Sequence, residues 1–264
     1  MSRRPSLSQN RILITGGSSG IGEQLARQFA AHQARVLVVA RREDRLQSLQ
    51  QEHSATEFHY LVGDVAAAET RKRIAEWIDR QWGGLDVLVN NAGIGAIGPF
   101  LSSSESCLRE LFEVNFFAPV ELIRTLIPLM QDQTAPAIIN IGSVLGHFSA
   151  PQKSEYCASK FALHGFTDAL YNELAGVGIH VLLVSPSTTR SEFFDQEKTK
   201  NARSPFRFGG MTSAAVATKT ILALQGGKRE IILSPSGNLL VWLDRIAPWW
   251  MARIQRDWGE TRAD

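Results

Sequence analysis

Residues 11–40 read RILITGGSSGIGEQLARQFAAHQARVLVVA. The run RILIT is apolar and stops abruptly at Gly16-Gly17-Ser18-Ser19-Gly20-Ile21-Gly22. Helix formers follow over 23–31, and RVLVVA at 35–40 is a second apolar run. Strand, glycine loop, helix and strand in so short a span make a βαβ unit. Its parallel strands are buried on both faces, so they read as continuous apolar runs. Glycines between strand and helix permit a tight turn and close backbone approach. The N–H groups of the new helix end then point toward an anionic pyrophosphate. The loop carries this meaning because of where it stands.

The alternation continues along the chain. Residues 58–62 read as a third strand closed by Asp64, 66–82 as a helix, and 85–90 as a fourth strand ending in Asn90-Asn91-Ala92-Gly93. Residues 104–130 form a long helical stretch that Pro119 and Pro128 should bend or end, because proline lacks the N–H a helix needs. A fifth strand over 137–142 delivers Ser143, a helix covers 154–174, a sixth strand spans 179–185, and another lies near 230–233. This rhythm predicts one α/β domain over 1–264, a doubly wound parallel sheet of about seven strands flanked by helices. No internal repeat or linker interrupts it. Ligands of such sheets lie beyond the carboxyl ends of the strands. The glycine loop, Asp64, Asn90 to Gly93, Ser143 and the residues from Ser185 to Ser191 all fall there. Each is also ordinary turn chemistry, and their convergence on one crevice is the signal.

With 44% hydrophobic residues among 264, the chain can bury a full core. A net charge of +2 is too mild to argue for nucleic acid. Cys107 and Cys157 lack metal-ligand spacing, so no metal is expected and both read as reduced thiols of a cytoplasmic protein. The first eleven residues are basic and polar, without the apolar centre of a signal peptide. No run of about 18 apolar residues is present to span a bilayer.

Tyr156 and Lys160 stand four apart in the helical stretch, on one face. A phenol titrates near ~10, and a fixed ammonium beside it favours the phenolate and draws it toward a useful range. Taken alone, the spacing is equally that of two surface residues.

In order along the chain, Thr15 to Gly22, Asn90-Asn91-Ala92-Gly93, Asn115, Ser143, Tyr156 and Lys160 resemble the short-chain dehydrogenase/reductase family. They match its TGxxxGxG cofactor loop, its NNAG turn and its Asn-Ser-Tyr-Lys catalytic set, and the resemblance covers residues 10–194. It implies a Rossmann-like fold and hydride transfer between a nicotinamide cofactor and a carbonyl or alcohol carbon, with the protein supplying position and a proton. Tyr156 would be the acid/base. Lys160 would lower its pKa and hold the nicotinamide ribose. Ser143 would hold the substrate oxygen, and Asn115 would anchor a water linking Lys160 to solvent. The implied cofactor contacts are Gly16, Ser18, Ser19, Gly20, Ile21 and Gly22 in the loop, and Asp64 and Val65 around the adenine. They continue with Asn91, Ala92 and Gly93 along the adenosine, then Tyr156, Lys160, Thr189 and Ser191 toward the nicotinamide. Ser143, Tyr156 and Phe193 are the implied substrate contacts. One departure stands out: Pro186-Ser187 replaces the family's Pro-Gly, and serine lacks glycine's freedom at positive φ. The family's habit implies a homodimer or homotetramer built on 104–130 and 154–174.

The choice between cofactors has a physical reading. NAD-selective sites place a carboxylate just past the second strand, on the ribose 2′-hydroxyl. Here that strand ends Val39-Ala40-Arg41-Arg42, with no carboxylate until Glu43. A guanidinium can fork onto a 2′-phosphate, so NADPH is expected over NADH, with Arg41 the first contact and Arg42 the second. Two arginines on a solvated helix start are the plain alternative. The rival functions are an NAD-dependent alcohol dehydrogenase and a non-catalytic dinucleotide-binding regulator, since fold does not dictate function.

Residues 188–210 correspond to the family's substrate lid and carry Phe193, Phe194, Phe206 and Phe208. These suit a lipophilic substrate, or simply dock the lid. The C-terminal extension, 236–264, holds Trp242, Trp249, Trp250 and Trp258 with Arg245, Arg253 and Arg256. That pattern is compatible with peripheral contact at a membrane surface, although Pro248, Asp244 and Asp257 weaken it. Packing at a subunit interface or over the substrate mouth is the more ordinary reading. His147 reads as a surface loop residue, His164 as packed or capping, and Cys157 as packing.

Overall fold

The computed structural model describes residues 7–187, 189–190 and 210–260. The opening unit forms as β1 (Arg11–Thr15), α1 (Gly20–Ala31) and β2 (Arg35–Ala40), followed by α2 (Glu43–Glu52), β3 (Phe58–Val62), α3 (Ala68–Trp82) and β4 (Val87–Asn90). A 3-10 turn (Phe100–Ser102) leads to α4 (Glu105–Phe112), a π turn (Glu113–Phe117) and α5 (Ala118–Met130). Then come β5 (Ala137–Ile141), a 3-10 turn (Val144–Gly146), α6 (Ser154–Ala175) and β6 (His180–Ser185). β7 (Thr189–Arg190), β8 (Met211–Thr212), α7 (Ser213–Gln225), β9 (Glu230–Ile232), α8 (Pro235–Ile246) and α9 (Pro248–Glu260) complete the described chain.

Seven strands make one parallel sheet in the order β3-β2-β1-β4-β5-β6-β9, and β7 pairs with β8 apart from it. The order reverses direction between β1 and β4, and a crevice opens at such a switch point. Alternation along each strand builds the two faces. Ile12, Ile14, Val36, Val38, Val87 and Val89 face α1 and α7. Leu13, Leu37, Val39, Leu88 and Ile138 face α3, α5 and α6. Side chains such as Leu25 and Phe29 of α1 are wholly buried, each worth roughly 1.5–3 kcal/mol over exposure. A further cluster lies beyond the strand ends, where Ile94, Leu111, Val144, Phe148 and Tyr156 meet Val241 and Met251 of α8 and α9.

The structure departs from the sequence reading at Pro119, which does not end the 104–130 stretch; the stretch ends at Met130, within a turn of Pro128. The π turn bonds Ala118 N–H to the Glu113 carbonyl, so Pro119 falls at the second position of α5, where the ladder is already offset. Pro128 sits in the last turn. Pro248 interrupts the C-terminal segment as expected, dividing α8 from α9, and it starts the second helix at the position where its missing N–H costs nothing. Ser187 needs no glycine-like freedom: among the described residues, the non-glycine residues with positive φ are Gln9, Gln33 and Gln152. No helix of the described residues is long and apolar enough to cross a membrane.

Candidate active site

The carboxyl ends of β1, β2, β4, β5 and β6 open into one cavity of about 610 Å³. Its first wall is the glycine loop. Gly16 has φ +67°, and a Cβ there would stand 2.7 Å from the Ala92 Cα; one on Gly22 would stand 2.4 Å from the Asn91 amide nitrogen. Both positions therefore demand glycine. The loop is stitched to the turn after β4. Thr15 Oγ1 accepts the N–H groups of Asn91 and Ala92 at 3.0 Å each, and Asn91 Nδ2 donates to the Thr15 and Gly16 carbonyls at 3.0 and 3.1 Å. Ser19 makes no side-chain cap on α1, which leaves that helix end's N–H groups for an anion. This backbone cradle, which side chains would fill, fits a dinucleotide pyrophosphate.

Gly16, Ser18, Ser19, Gly20 and Ile21 line the cavity, and Gly22 lies beneath it. Arg41, Arg42, Asp64 and Val65 form the end beyond β2 and β3, while Asn91, Ala92 and Gly93 form the side beyond β4. The two arginines are not equivalent. Arg42 is tied to the loop, its Nε 3.2 Å from Ser18 Oγ and its Nη2 3.4 Å from the Ser18 carbonyl. Arg41 stays 58% exposed at its side chain, with Nη1 3.9 Å from Asp64 Oδ2. Thr189 lines the wall. Ser191, Phe193, Phe194, Phe206 and Phe208 lie outside the described residues.

Tyr156 and Lys160 occupy successive turns of α6, both buried and both facing the cavity. Lys160 donates to the Ile141 carbonyl at 3.0 Å, and its Nζ lies 5.9 Å from the centre of the Tyr156 ring. Burial pulls the ammonium down from 10.5 to about 8. Burial also pushes the Tyr156 phenol above its ordinary value, opposed by the hydrogen bond with Ser143. In the protein alone, burial rather than Lys160 dominates the proton affinity of the phenol. Ser143 Oγ also accepts the Leu145 N–H at 3.1 Å, capping the 3-10 turn, and this fixes the hydroxyl beside Tyr156.

Asn115 is buried behind the wall, at the centre of the π turn. Its Oδ1 accepts the Ile94 N–H at 2.9 Å, and its Nδ2 donates to the Ile94 carbonyl and to Ser159 Oγ, each at 3.0 Å. Ser159 in turn donates to the Tyr156 carbonyl at 2.8 Å. The amide thus braces the tyrosine helix against the turn after β4.

Several wall residues escaped the sequence reading. Lys153, buried and one turn before Tyr156, lines the cavity, as do Ser236 and Leu240 of α8. Lys153 was findable from its spacing to Tyr156; the α8 residues lie beyond every motif and carried no signal. With Ile94, Val144, Leu145 and Phe148, Leu240 makes this half of the cavity apolar. His147 is also a correction: it is buried, not at the surface, because the 3-10 turn folds its loop inward. Its Nε2 is 2.9 Å from Ser185 Oγ and 3.1 Å from Glu230 Oε1. His164 packs as expected, its Nδ1 2.9 Å from the Gly146 carbonyl. Cys157 is buried in the apolar cluster, where burial raises its thiol.

The short chain dehydrogenase family model matches residues 10–202. Among curated relatives, a dehydrogenase/reductase SDR family member 7B from Danio rerio is 34% identical over 72% of this chain and 64% of its own length. An SDR family protein 7-like from Dictyostelium discoideum is 32% identical over 90% of this chain and 78% of its own. A ketoacyl reductase, HetN, from Nostoc sp. is 29% identical over 96% and 90% respectively. A short-chain dehydrogenase/reductase from Burkholderia phymatum, solved in complex with NAD, superposes with TM-score 0.84 at 25% identity, over 93% of this chain and 96% of that one.

Proposed function

From the premise that this chain belongs to the short-chain dehydrogenase family, we propose that it is an NADPH-dependent reductase of lipophilic carbonyl compounds. The observation that carries the reading is a buried phenol, hydrogen-bonded to Ser143, in the cavity that also holds a glycine cradle and an arginine pair. A nicotinamide cofactor held by the glycine loop and Lys160 would supply the hydride that reduces the carbonyl carbon. Ser143 orients the carbonyl oxygen toward Tyr156, whose hydroxyl donates the proton that the developing alkoxide needs. Lys160 would hold the nicotinamide ribose and stabilise the phenolate left behind. Asn115 is a positioning residue: through Ser159 it sets the tyrosine helix against the turn after β4. The apolar surfaces of Ile94, Val144, Leu145, Phe148 and Leu240 support a lipophilic substrate and exclude water from the transferring hydride.

Arg41 is the 2′-phosphate contact, because it is exposed and uncommitted to the loop, while Arg42 adds charge behind it. A second reading, preference for NADH, is favoured by Asp64 beside Arg41 and by the NAD bound to the Burkholderia relative. Reduced cofactor titrated against tryptophan fluorescence separates them. Tighter NADPH than NADH binding is expected, reversed by Arg41→Asp; equal binding of both, unchanged in that variant, sinks the NADPH assignment.

The protein works in the cytoplasm as a homodimer or homotetramer. Exposed Phe117 and Phe161, on the π turn and α6, support association through those helices. The tail has two edges. Val241 and Met251 are buried in the cluster around Tyr156, while Leu239, Trp242, Ile246, Trp249 and Trp250 are exposed. Its inner edge closes the substrate mouth, and its outer edge suits peripheral membrane contact.

A further inference from the structure

Behind the wall that carries Ser143, three donors from three elements converge: His147 after the 3-10 turn, His164 of α6 and Glu230 of β9. Their ligand atoms all lie within 4.8 Å of one another. Two hydrogen-bonded histidines and a carboxylate can form a proton-sharing cluster, but the contacts here are poorly arranged for one. Glu230 Oε1 lies 3.1 Å from His147 Nε2, yet that buried oxygen has no well-aligned hydrogen bond, and His147 Nδ1 is likewise buried without a partner. Ligands of a tetrahedral zinc ion, at ~2.0–2.2 Å from the metal, stand about 3.3–3.5 Å apart. The His147–Glu230 separation is already near such an edge, and His164 has only a short approach to make.

The surroundings agree. The Nδ1 of His164 meets the Gly146 carbonyl at 2.9 Å, the second partner that usually orients a metal-bound imidazole and leaves Nε2 as the ligand. His147 is closed off from solvent, whereas Glu230 keeps 30% and His164 16% of its side-chain exposure, enough for an ion to enter and to hold a water in a fourth position. Asp168 Oδ2, 3.5 Å from His164 Nε2, adds a second carboxylate beside it, itself paired with Arg229 at 2.8 Å. Ser185 Oγ, 2.9 Å from His147 Nε2, is the remaining polar neighbour.

We propose that His147, His164 and Glu230 bind one divalent transition-metal ion of the zinc class, clamping the Ser143–His147 turn to α6 and β9. The site is structural. It has no face on the substrate cavity, and the imidazole and carboxylate donors suit Zn²⁺ rather than an all-oxygen cation such as Mg²⁺. The three residues are far apart in sequence, so cysteine and histidine spacing could not reveal them.

The test uses the full chain, stripped with chelator and dialysed, titrated with Co²⁺ by visible absorption and with Zn²⁺ by calorimetry. One equivalent of Co²⁺ should bind with the d–d bands of a four- or five-coordinate ion, be displaced by Zn²⁺, and raise the melting temperature. Glu230→Gln, which preserves shape, and His164→Gln should each weaken binding at least ~tenfold and abolish the thermal shift. His147→Ala, whose buried ring also packs the turn, is the less clean variant and is not needed. Absence of stoichiometric binding overturns the proposal and leaves a cluster that holds only protons. Binding of equal strength in Glu230→Gln and His164→Gln overturns it too, since the ion would then sit elsewhere.

Discussion

Tyr156 and Lys160 were legible from a four-residue spacing, but their proton affinities were not. A bare sequence suggests an ammonium lowering a phenol. In the folded protein both groups are buried, and desolvation moves each toward its neutral form. For Lys160 the sign has a measurable consequence in the cofactor-free protein. Its folded value of about 8 lies below the ordinary 10.5, so between those values the unfolded chain keeps a proton that the native state has released. Stability therefore rises with pH across that window, by up to about 3 kcal/mol from this group. Tyr156, shifted upward, opposes this only above its own ordinary value, while Cys157, raised by burial from its ordinary 9.0, opposes it within the window. The lysine's share is therefore read from the difference in slope between the unsubstituted chain and a Lys160 variant in chemical denaturation between pH 8 and pH 10. Lys160→Met should flatten the slope; an unchanged slope would assign it to other groups. On the catalytic side, Tyr156→Phe should cut turnover by ~10²–10⁴-fold while changing cofactor affinity little. Retained turnover in that variant would remove Tyr156 as the proton donor.

At the scale of elements, the βαβ unit of residues 11–40 is almost self-describing, because parallel strands and a glycine turn leave plain marks in composition. The structure adds the reason particular glycines are required. Gly16 combines φ +67° with a neighbouring backbone 2.7 Å from any added Cβ. Gly16→Ala should lower stability by roughly 1–2 kcal/mol for the left-handed conformation alone. It should also weaken dinucleotide binding, because the loop must part from the Asn91–Ala92 turn. Calorimetric melting and cofactor titration check the two effects, and a variant with native affinity would show that the cradle tolerates the shift. The π turn was not legible. A register change of one residue in a helix has no composition signal, yet it turns Asn115 inward to Ile94 and Ser159. Its presence also explains why Pro119 fails to break the run.

At the scale of the molecule, the exposed aromatic surface on the π turn and α6 is the face offered for the proposed self-association. With Phe117 45% and Phe161 43% exposed, Phe117→Asp together with Phe161→Asp should leave a monomer in sedimentation velocity where the unsubstituted chain sediments as the proposed oligomer. If the assembly survives both changes, another face holds it. The same scale decides the cavity's composition. Leu240 reaches the wall only because α7 and β9 carry the chain back beside β6, so that α8 lies over the strand ends.

The sequence by itself determined the parallel α/β sheet, the cofactor loop, the Ser143-Tyr156-Lys160 set and the arginine pair after β2. The sheet, the loop and the arginine pair rest on local spacing or on an apolar run. The Ser143-Tyr156-Lys160 set rests on the family resemblance its motifs carry, and both kinds of signal are written in order along the chain. Only the tertiary structure decided that Arg42 folds onto Ser18 while Arg41 stays exposed, that Asn115 braces rather than lines the cavity, and that Lys153 and Leu240 join its wall. It alone brought His147, buried rather than exposed, against His164 and Glu230. These depend on which distant segments the sheet order and helix packing set side by side, and burial, with the hydrogen-bond partners it imposes, is a property of that juxtaposition.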